Sequence, residues 1–565
     1  MEKAYPHFKT RRVSNLDGQW DFSCLGKVDL EQIDISKIEF NEKMPVPAAF
    51  DAMPLYAGER GIAAYRKIVE VTPGFYGRIQ FEAVSMWCRV YVDGVAIKEH
   101  GCGYSEFWCA FPLSDSAQRE IVILVDNRFD LDRTPLHEPY YDFYQWGGII
   151  RSVWLHEIPE IAFEWVRVTP VDYSTGQIEV EAKLTETPRD EISCEIELDG
   201  RHYSLVNFQP LSDLVSFSIQ ITQPRLWSVE SPNLYELRLS IPGDDMIVRF
   251  GIRQVKAQGG KIYLNGQPVK LKGYNRHESH PNFGSALPLS ILYTDLQILH
   301  DLGCNFIRGS HYQQDQRFLD LCDEQGFLFW EEALGWQPEE RHFLNPNYVR
   351  QHYGQIEEMI STSYNHPSVI IWGFMNEAHT EVESAKQLFH DTIAFIKERD
   401  KSRLVTYATC RLKQDICLDP VDIIALNIYP GWYPGWGETF DEENPLRLII
   451  PAIRDCLDFI QEKGMGDRAV IFSEIGADGI YGWHDIMKGH WTEEYQADYL
   501  NIVCREMMTN PAISGVSLWQ YCDIRSASNF YALRRPRAFN NKGIVDEYRR
   551  PKLAYSVVKE WFRKS

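Results

Sequence analysis

Two apolar runs that each stop at a glutamate constrain this chain more than any other feature. Ile370-Ile371-Trp372-Gly373-Phe374-Met375 runs into Asn376-Glu377, and Ala469-Val470-Ile471-Phe472 runs into Ser473-Glu474. A run of four to eight apolar residues that ends at polar groups reads as a strand buried on both faces. In a parallel α/β barrel such strands present their chemistry at their C-terminal ends. A single strand-end glutamate is more often a surface residue. Two of the same form suit two strands of one barrel, and paired carboxylates at a barrel mouth are what glycoside hydrolysis requires.

The surrounding texture agrees. Leu292 to Gly303 has the period of an amphipathic helix closed by glycine, and Asn305-Phe306-Ile307-Arg308 follows as a strand. Phe318 to Gly326 repeats the helix with its glycine stop, and Phe327-Leu328-Phe329-Trp330-Glu331-Glu332 repeats the strand. This alternation continues to the C-terminus, and residues 254–565 are the size of a (β/α)8 barrel. Every strand end carries polar residues.

The chain has 565 residues, too many for one core, so about three domains are expected. Residues 1–160 read as all-β. Arg89 to Ile97 alternates around an Asp93-Gly94 hairpin turn, and Glu120 to Val125 is a further strand. Many short strands with turn signals predict a β-sandwich. This segment runs into an aromatic loop, Tyr140-Tyr141-Asp142-Phe143-Tyr144-Gln145-Trp146, which either packs internally or serves a site in another domain. Residues 161–253 alternate again, as in Ile178-Glu179-Val180-Glu181-Ala182, with the length and strand spacing of an immunoglobulin-like sandwich. A hairpin turned by Asn265-Gly266 opens the barrel region.

Charge narrows the partners. With 80 acidic and 58 basic residues the net charge is -22, a balance that repels nucleic acid and anionic lipid. An acidic substrate would therefore need a local basic patch, and Arg534 to Lys542 is the most basic stretch. No segment has the run of apolar residues that spans a membrane, and the N-terminus has no apolar signal core. The 12 cysteines lack metal-type or disulfide-framework spacing. They read as reduced, mostly buried thiols, which predicts a cytoplasmic protein.

Several motifs together carry a resemblance to glycoside hydrolase family 2: Lys272-Gly273-Tyr274-Asn275-Arg276-His277-Glu278, Asn305 to Tyr312, His366 to Trp372, Asn376-Glu377, and Ser473-Glu474-Ile475-Gly476-Ala477-Asp478. It runs from Leu16 to about Trp561. It implies a jelly-roll sugar-binding domain (1–160), an immunoglobulin-like domain (161–253) and a catalytic TIM barrel (254–565), hydrolysing with retention of configuration. Phe539-Asn540-Asn541-Lys542-Gly543-Ile544 resembles the Asn-x-Lys signature with which the β-glucuronidases of that family contact the sugar carboxylate. The chemistry fits, since Lys and Asn donate hydrogen bonds and a carboxylate accepts them. Arg537 flanks this signature and is assigned to the same contact.

The resemblance implies further roles. Glu474 is the expected nucleophile and Glu377 the expected acid/base. In a retaining pair about 5–5.5 Å apart, the charge of Glu474 should raise the pKa of Glu377. Asn376 would bond the sugar 2-OH, and Tyr429 would position the nucleophile. Trp432 and Tyr433 would lie at the uronate, and Trp519 would form an aromatic floor. His311 would bind a ring hydroxyl, and Asp142 would reach the C3/C4 hydroxyls from the first domain. His277 lies in a stretch closer to the β-galactosidase pattern and would contact O3 or O4. The expected activity is an exo-acting β-glucuronidase, with β-galacturonide as the alternative substrate and a β-galactosidase of the same family as a further alternative. A non-catalytic carbohydrate-binding protein is disfavoured by the presence of both glutamates and Asn376. The galactosidases' extra magnesium ligands are not evident after Glu331-Glu332, so no metal and no other cofactor is expected. The expected partner is a small-molecule or oligosaccharide β-hexuronide, acted on by a homo-oligomer, dimer or tetramer.

Overall fold

Eight parallel strands close into a barrel between Leu271 and Leu518, as the alternation predicts. We label them β1 (Leu271–Arg276), β2 (Phe306–Gly309), β3 (Leu328–Glu332), β4 (Val369–Asn376), β5 (Leu404–Thr409), β6 (Ile423–Asn427), β7 (Ala469–Glu474) and β8 (Gly515–Leu518). The computed structural model describes residues 3–111, 116–134, 141–433, 444–527 and 535–564. Tyr140 and Arg534 lie outside the described residues.

Every residue of β4 and β7 is buried, which is why these strands read as unbroken apolar runs rather than as alternation. The helices cover the outer face. Leu289–Leu302 buries Leu292, Leu296, Leu299 and Leu302 on one stripe, each worth roughly 1.5–3 kcal/mol relative to exposure. It ends where Gly303 takes φ 86° and its N–H caps the carbonyls of His300 and Leu299, a left-handed stop that glycine adopts without steric cost.

The N-terminal part has antiparallel sheets of six and four strands, with a further two-stranded pair, around a core that includes Trp20, Phe22, Tyr65, Phe81 and Ile123. Residues between Phe163 and Phe250 form a three-stranded and a four-stranded sheet around a second core. Asp93 at φ 49° with Gly94 at φ 82°, and Asn265 at φ 51° with Gly266 at φ 75°, make the hairpin turns that the sequence predicts.

The domains lock together through buried polar contacts. Arg151 of the first domain donates to Glu278 at 2.9 Å and to the Gln313 carbonyl at 2.7 Å, and Tyr104 stacks on Tyr312 at 3.8 Å. Tyr144 of the aromatic loop donates its N–H to the Arg525 carbonyl at 2.8 Å. In the middle domain Trp227 donates its indole N–H to the Asp323 carbonyl at 2.8 Å. All 12 cysteines are unpaired thiols. No helix among the described residues is long and apolar enough to cross a membrane.

Candidate active site

A cavity of about 760 Å³ opens where β4, β6, β7 and β8 end. Glu474, the last residue of β7, and Glu377, one residue past β4, both line it. Glu377 holds φ 51°, a left-handed backbone that turns its side chain away from the strand's alternation.

Arg308 on β2 organises the floor. Its guanidinium donates to Glu474 Oε1 at 2.9 Å, to Glu332 at 2.8 and 3.1 Å, to Asn376 Oδ1 at 2.8 Å and to Asn275 Oδ1 at 3.0 Å. Tyr429 donates to the other Glu474 oxygen at 2.6 Å. Glu377 instead accepts from two neutral amides, Asn427 Nδ2 at 3.0 Å and Gln337 Nε2 at 2.9 Å. Burial, and then the charge of Glu377, push the Glu474 carboxyl up to about 8, against the pull of Arg308 and Tyr429. The raised carboxyl of the site is therefore Glu474, the expected nucleophile.

Asn376 is buried, and its Oδ1 is taken by Arg308 and by Asn427 Nδ2 at 3.0 Å. Its Nδ2 has no partner among the described residues and is left to donate. His311 lines the cavity with Nδ1 2.9 Å from Glu332. Burial, and then Arg308, hold its pKa well below the usual histidine value. A neutral ring that gives its Nδ1 hydrogen to a carboxylate keeps Nε2 as an acceptor. Trp519 lies nearly parallel to it, with ring centroids 5.4 Å apart, and also lines the cavity, as do Phe143, Trp336 and Trp432.

The opposite wall carries charge. Arg535 donates to Asp142 Oδ1 through Nε at 2.9 Å and to Oδ2 through Nη2. Ser526 and Asn540 Nδ2 supply the other two donors to Asp142, at 3.1 and 2.9 Å. Two hydrogen bonds to each oxygen use the usual acceptor capacity of a carboxylate. Tyr433 Oη accepts from Lys542 Nζ at 2.9 Å and from Arg535 Nη2 at 2.7 Å. Both cations can only donate, so the Tyr433 hydrogen is left for the cavity that this residue lines. Lys542 also pairs with Asp478 and sits 5.1 Å from the Trp432 ring centroid.

Three expectations change in detail. Arg537 does not line the cavity. It bonds Glu547 at 2.9 Å and Asn541 at 2.8 Å, and the guanidinium at the wall is Arg535. Asn540 and Lys542 are buried but stand behind the wall, reaching it through Asp142 and Tyr433. His277 packs behind Phe143, His311 and Trp519, at 4.8, 5.4 and 5.4 Å between centroids; it does not line the cavity. Sequence reasoning missed Arg308, Glu332, Asn427, Gln337 and Arg535. The first three sit at or next to the ends of β2, β3 and β6, where a search restricted to polar barrel-strand ends would have found them.

Among the described residues, one other cluster has metal-ligand character. Asp320, Asp323 and His366 bring candidate ligand atoms within 4.8 Å of one another. Each is already engaged: Asp320 by Arg249 and the Tyr5 N–H, Asp323 by the Ser368 N–H, and His366 between Asp323 at 2.6 Å and Gln316 at 3.0 Å. That donor set closes as an ion pair without a metal.

A parallel barrel with two carboxyls at its mouth, an aromatic floor and a polar wall contributed partly by an appended β-sandwich defines a glycoside hydrolase. The chain belongs to glycoside hydrolase family 2: residues 255–564 match the family's TIM barrel domain, and residues 161–253 match a further family 2 domain. It is similar to a solved family 2 β-galacturonidase from Eisenbergiella tayi bound to galacturonate, with 34% identity and TM-score 0.90 over 100% of this chain and 99% of that one. A β-glucuronidase from Streptococcus agalactiae is 26% identical over 98% of this chain and 96% of its own length. A β-glucuronidase from Ruminococcus gnavus in complex with uronic isofagomine is 25% identical, with TM-score 0.87 over 100% of both chains.

Proposed function

We propose that this enzyme is an exo-acting, retaining β-hexuronidase that removes terminal non-reducing β-D-hexuronic acid. The observation that carries the reading is the wall formed by Arg535 and Tyr433, backed by Lys542, in a protein of net charge -22. Arg535, Lys542, Asp142 and Asp478 balance in charge, so a sugar carboxylate is drawn by oriented donors rather than by net attraction. Those donors are the free Tyr433 hydrogen and Arg535 Nη1, which otherwise has Asp478 at 3.5 Å.

Glu474 attacks the anomeric carbon while Glu377 gives its proton to the leaving oxygen, and the aglycone departs as an alcohol. The charged donor Arg308 and the Tyr429 hydroxyl favour the anion on Glu474 that attacks. In the second step Glu377 takes a proton from water, hydroxide adds to the anomeric carbon and the ester to Glu474 breaks, restoring both carboxyls. Asn376 Nδ2 donates to the sugar 2-OH, a contact that strengthens as the oxocarbenium ion develops.

Of the two C4 epimers, galacturonide is the better supported. The galacturonidase match is at 34% identity and the two glucuronidase matches at 25–26%. Asp142, the acceptor expected to serve the C3/C4 hydroxyls in the glucuronidase pattern, already holds four donors. The test is kcat/KM on nitrophenyl β-galacturonide, β-glucuronide, β-galactoside and β-glucoside, for wild type and Arg535→Gln. A uronide is expected to lead the neutral sugars by about 10²-fold or more, and Arg535→Gln to remove most of that lead, since a charge-assisted contact is worth roughly 1.5–3 kcal/mol. A leading neutral glycoside overturns the proposal.

A further inference from the structure

Gln337 lies in the segment that leaves β3 and pairs with the end of β4. The backbone there extends the sheet past the strand: Asn376 donates its N–H to the Gly335 carbonyl at 2.9 Å, Gln337 to Asn376 at 2.8 Å, and His379 to Pro338 at 3.0 Å. Gln337 at φ 52° and Glu377 at φ 51° both hold left-handed backbone. For side chains of this size that conformation persists only where the surroundings enforce it, and it concentrates at functional positions. Here the two facing residues meet, and Gln337 Nε2 lies 2.9 Å from Glu377 Oε2. Both line the cavity.

We propose that Gln337 is a positioning residue for Glu377, acting on the acid/base through its carboxamide; this rests on the assignment of Glu377 above. The other partner of Glu377 cannot play this part. Asn427 is fixed at both ends, with Nδ2 shared between Glu377 and Asn376 and Oδ1 accepting from Ser473 at 2.7 Å. Among the described residues, the Gln337 carboxamide has Glu377 as its one side-chain partner. Its terminal amide can therefore donate to the carboxylate or, turned over, accept from the carboxylic acid. Glu377 needs both, because it is an acid in the first step and a base in the second. Gln337 thus holds the carboxyl plane toward the leaving oxygen through both protonation states.

The experiment uses the full-length enzyme and a ladder of aryl β-hexuronides from dinitrophenyl, which needs little acid assistance, to phenyl, which needs much. Gln337→Met keeps the side chain's length and removes the amide. Its kcat/KM is expected to fall about 10–50-fold on phenyl and less than about 3-fold on dinitrophenyl, a steeper dependence on the leaving group. Gln337→Asn keeps the amide but withdraws it by one methylene, and the same steepening is expected. An equal loss along the ladder, or none, in whichever variant folds overturns the proposal. The underlying assignment is read separately: Glu377→Ala should show the steepest ladder and form the β-glycosyl azide when azide is added. If it does neither, the acid/base assignment falls, whatever Gln337 does.

Discussion

Glu474→Gln is expected to lower kcat by about 10⁴-fold or more on every β-hexuronide, because the amide cannot form the glycosyl ester on which the second step depends. The substitution is close to isosteric. Tyr429 at 2.6 Å can still donate to the amide oxygen. Arg308 at 2.9 Å keeps its four other acceptors. The fold should therefore survive, and substrate KM should change far less than kcat. The variant also removes the carboxyl that burial and the charge of Glu377 raise to about 8. Stopped and steady-state assays on nitrophenyl β-galacturonide check the rate, and circular dichroism checks the fold.

Arg308→Leu should damage both stability and activity. The guanidinium is fully buried and serves two carboxyls and two asparagines. Removing one partner of a buried charged network costs about 3–5 kcal/mol, which corresponds to roughly 5–8 °C in the melting temperature of a unit the size of this barrel. Activity should fall about 10³-fold. Glu474 loses the charged donor that favours its anion, and Asn376 loses one of the two bonds that fix its amide. Glu332 is already pushed up to about 7 by burial, against Arg308, so losing the guanidinium drives it to the neutral acid. Differential scanning calorimetry with kcat on the same preparation separates the two effects. A variant with wild-type melting and wild-type kcat would contradict the role given to Arg308.

The place of the two cavity glutamates was legible because barrel geometry converts a one-dimensional pattern into a place: an apolar run followed by a glutamate is a carboxyl at the mouth. Arg308, Glu332 and Asn427 also stand at or next to strand ends, the last two after apolar runs of four residues, and nothing in the runs themselves says which strand ends meet. Arg535 obeys no such rule. Arg537 and Ala538 both hold left-handed backbone, at φ 63° and 58°, and this reversal turns Arg537 to Glu547 while Arg535 stays at the wall. Spacing from the Asn-x-Lys signature carries no sign of that turn. His277 was misplaced for a different reason. The ring that screens it, Phe143, arrives from the first domain, and contacts between distant segments leave no local pattern. The Glu474 carboxyl depends on burial as well as on its neighbour, and burial on all sides is a property of the assembled cavity.

In the proposed mechanism a β-hexuronyl group passes through an ester on Glu474. Incubation with a 2-deoxy-2-fluoro-hexuronyl fluoride, followed by intact-protein and peptide mass spectrometry, tests it most directly. Fluorine at C2 slows both steps, and the fluoride leaving group restores the first, so the ester accumulates. One fluoro-hexuronyl group per chain is expected, on the peptide that contains Glu474, and much slower labelling by the neutral 2-fluoroglycosyl fluorides. No label, a label on another residue, or faster labelling by a neutral sugar would contradict the account.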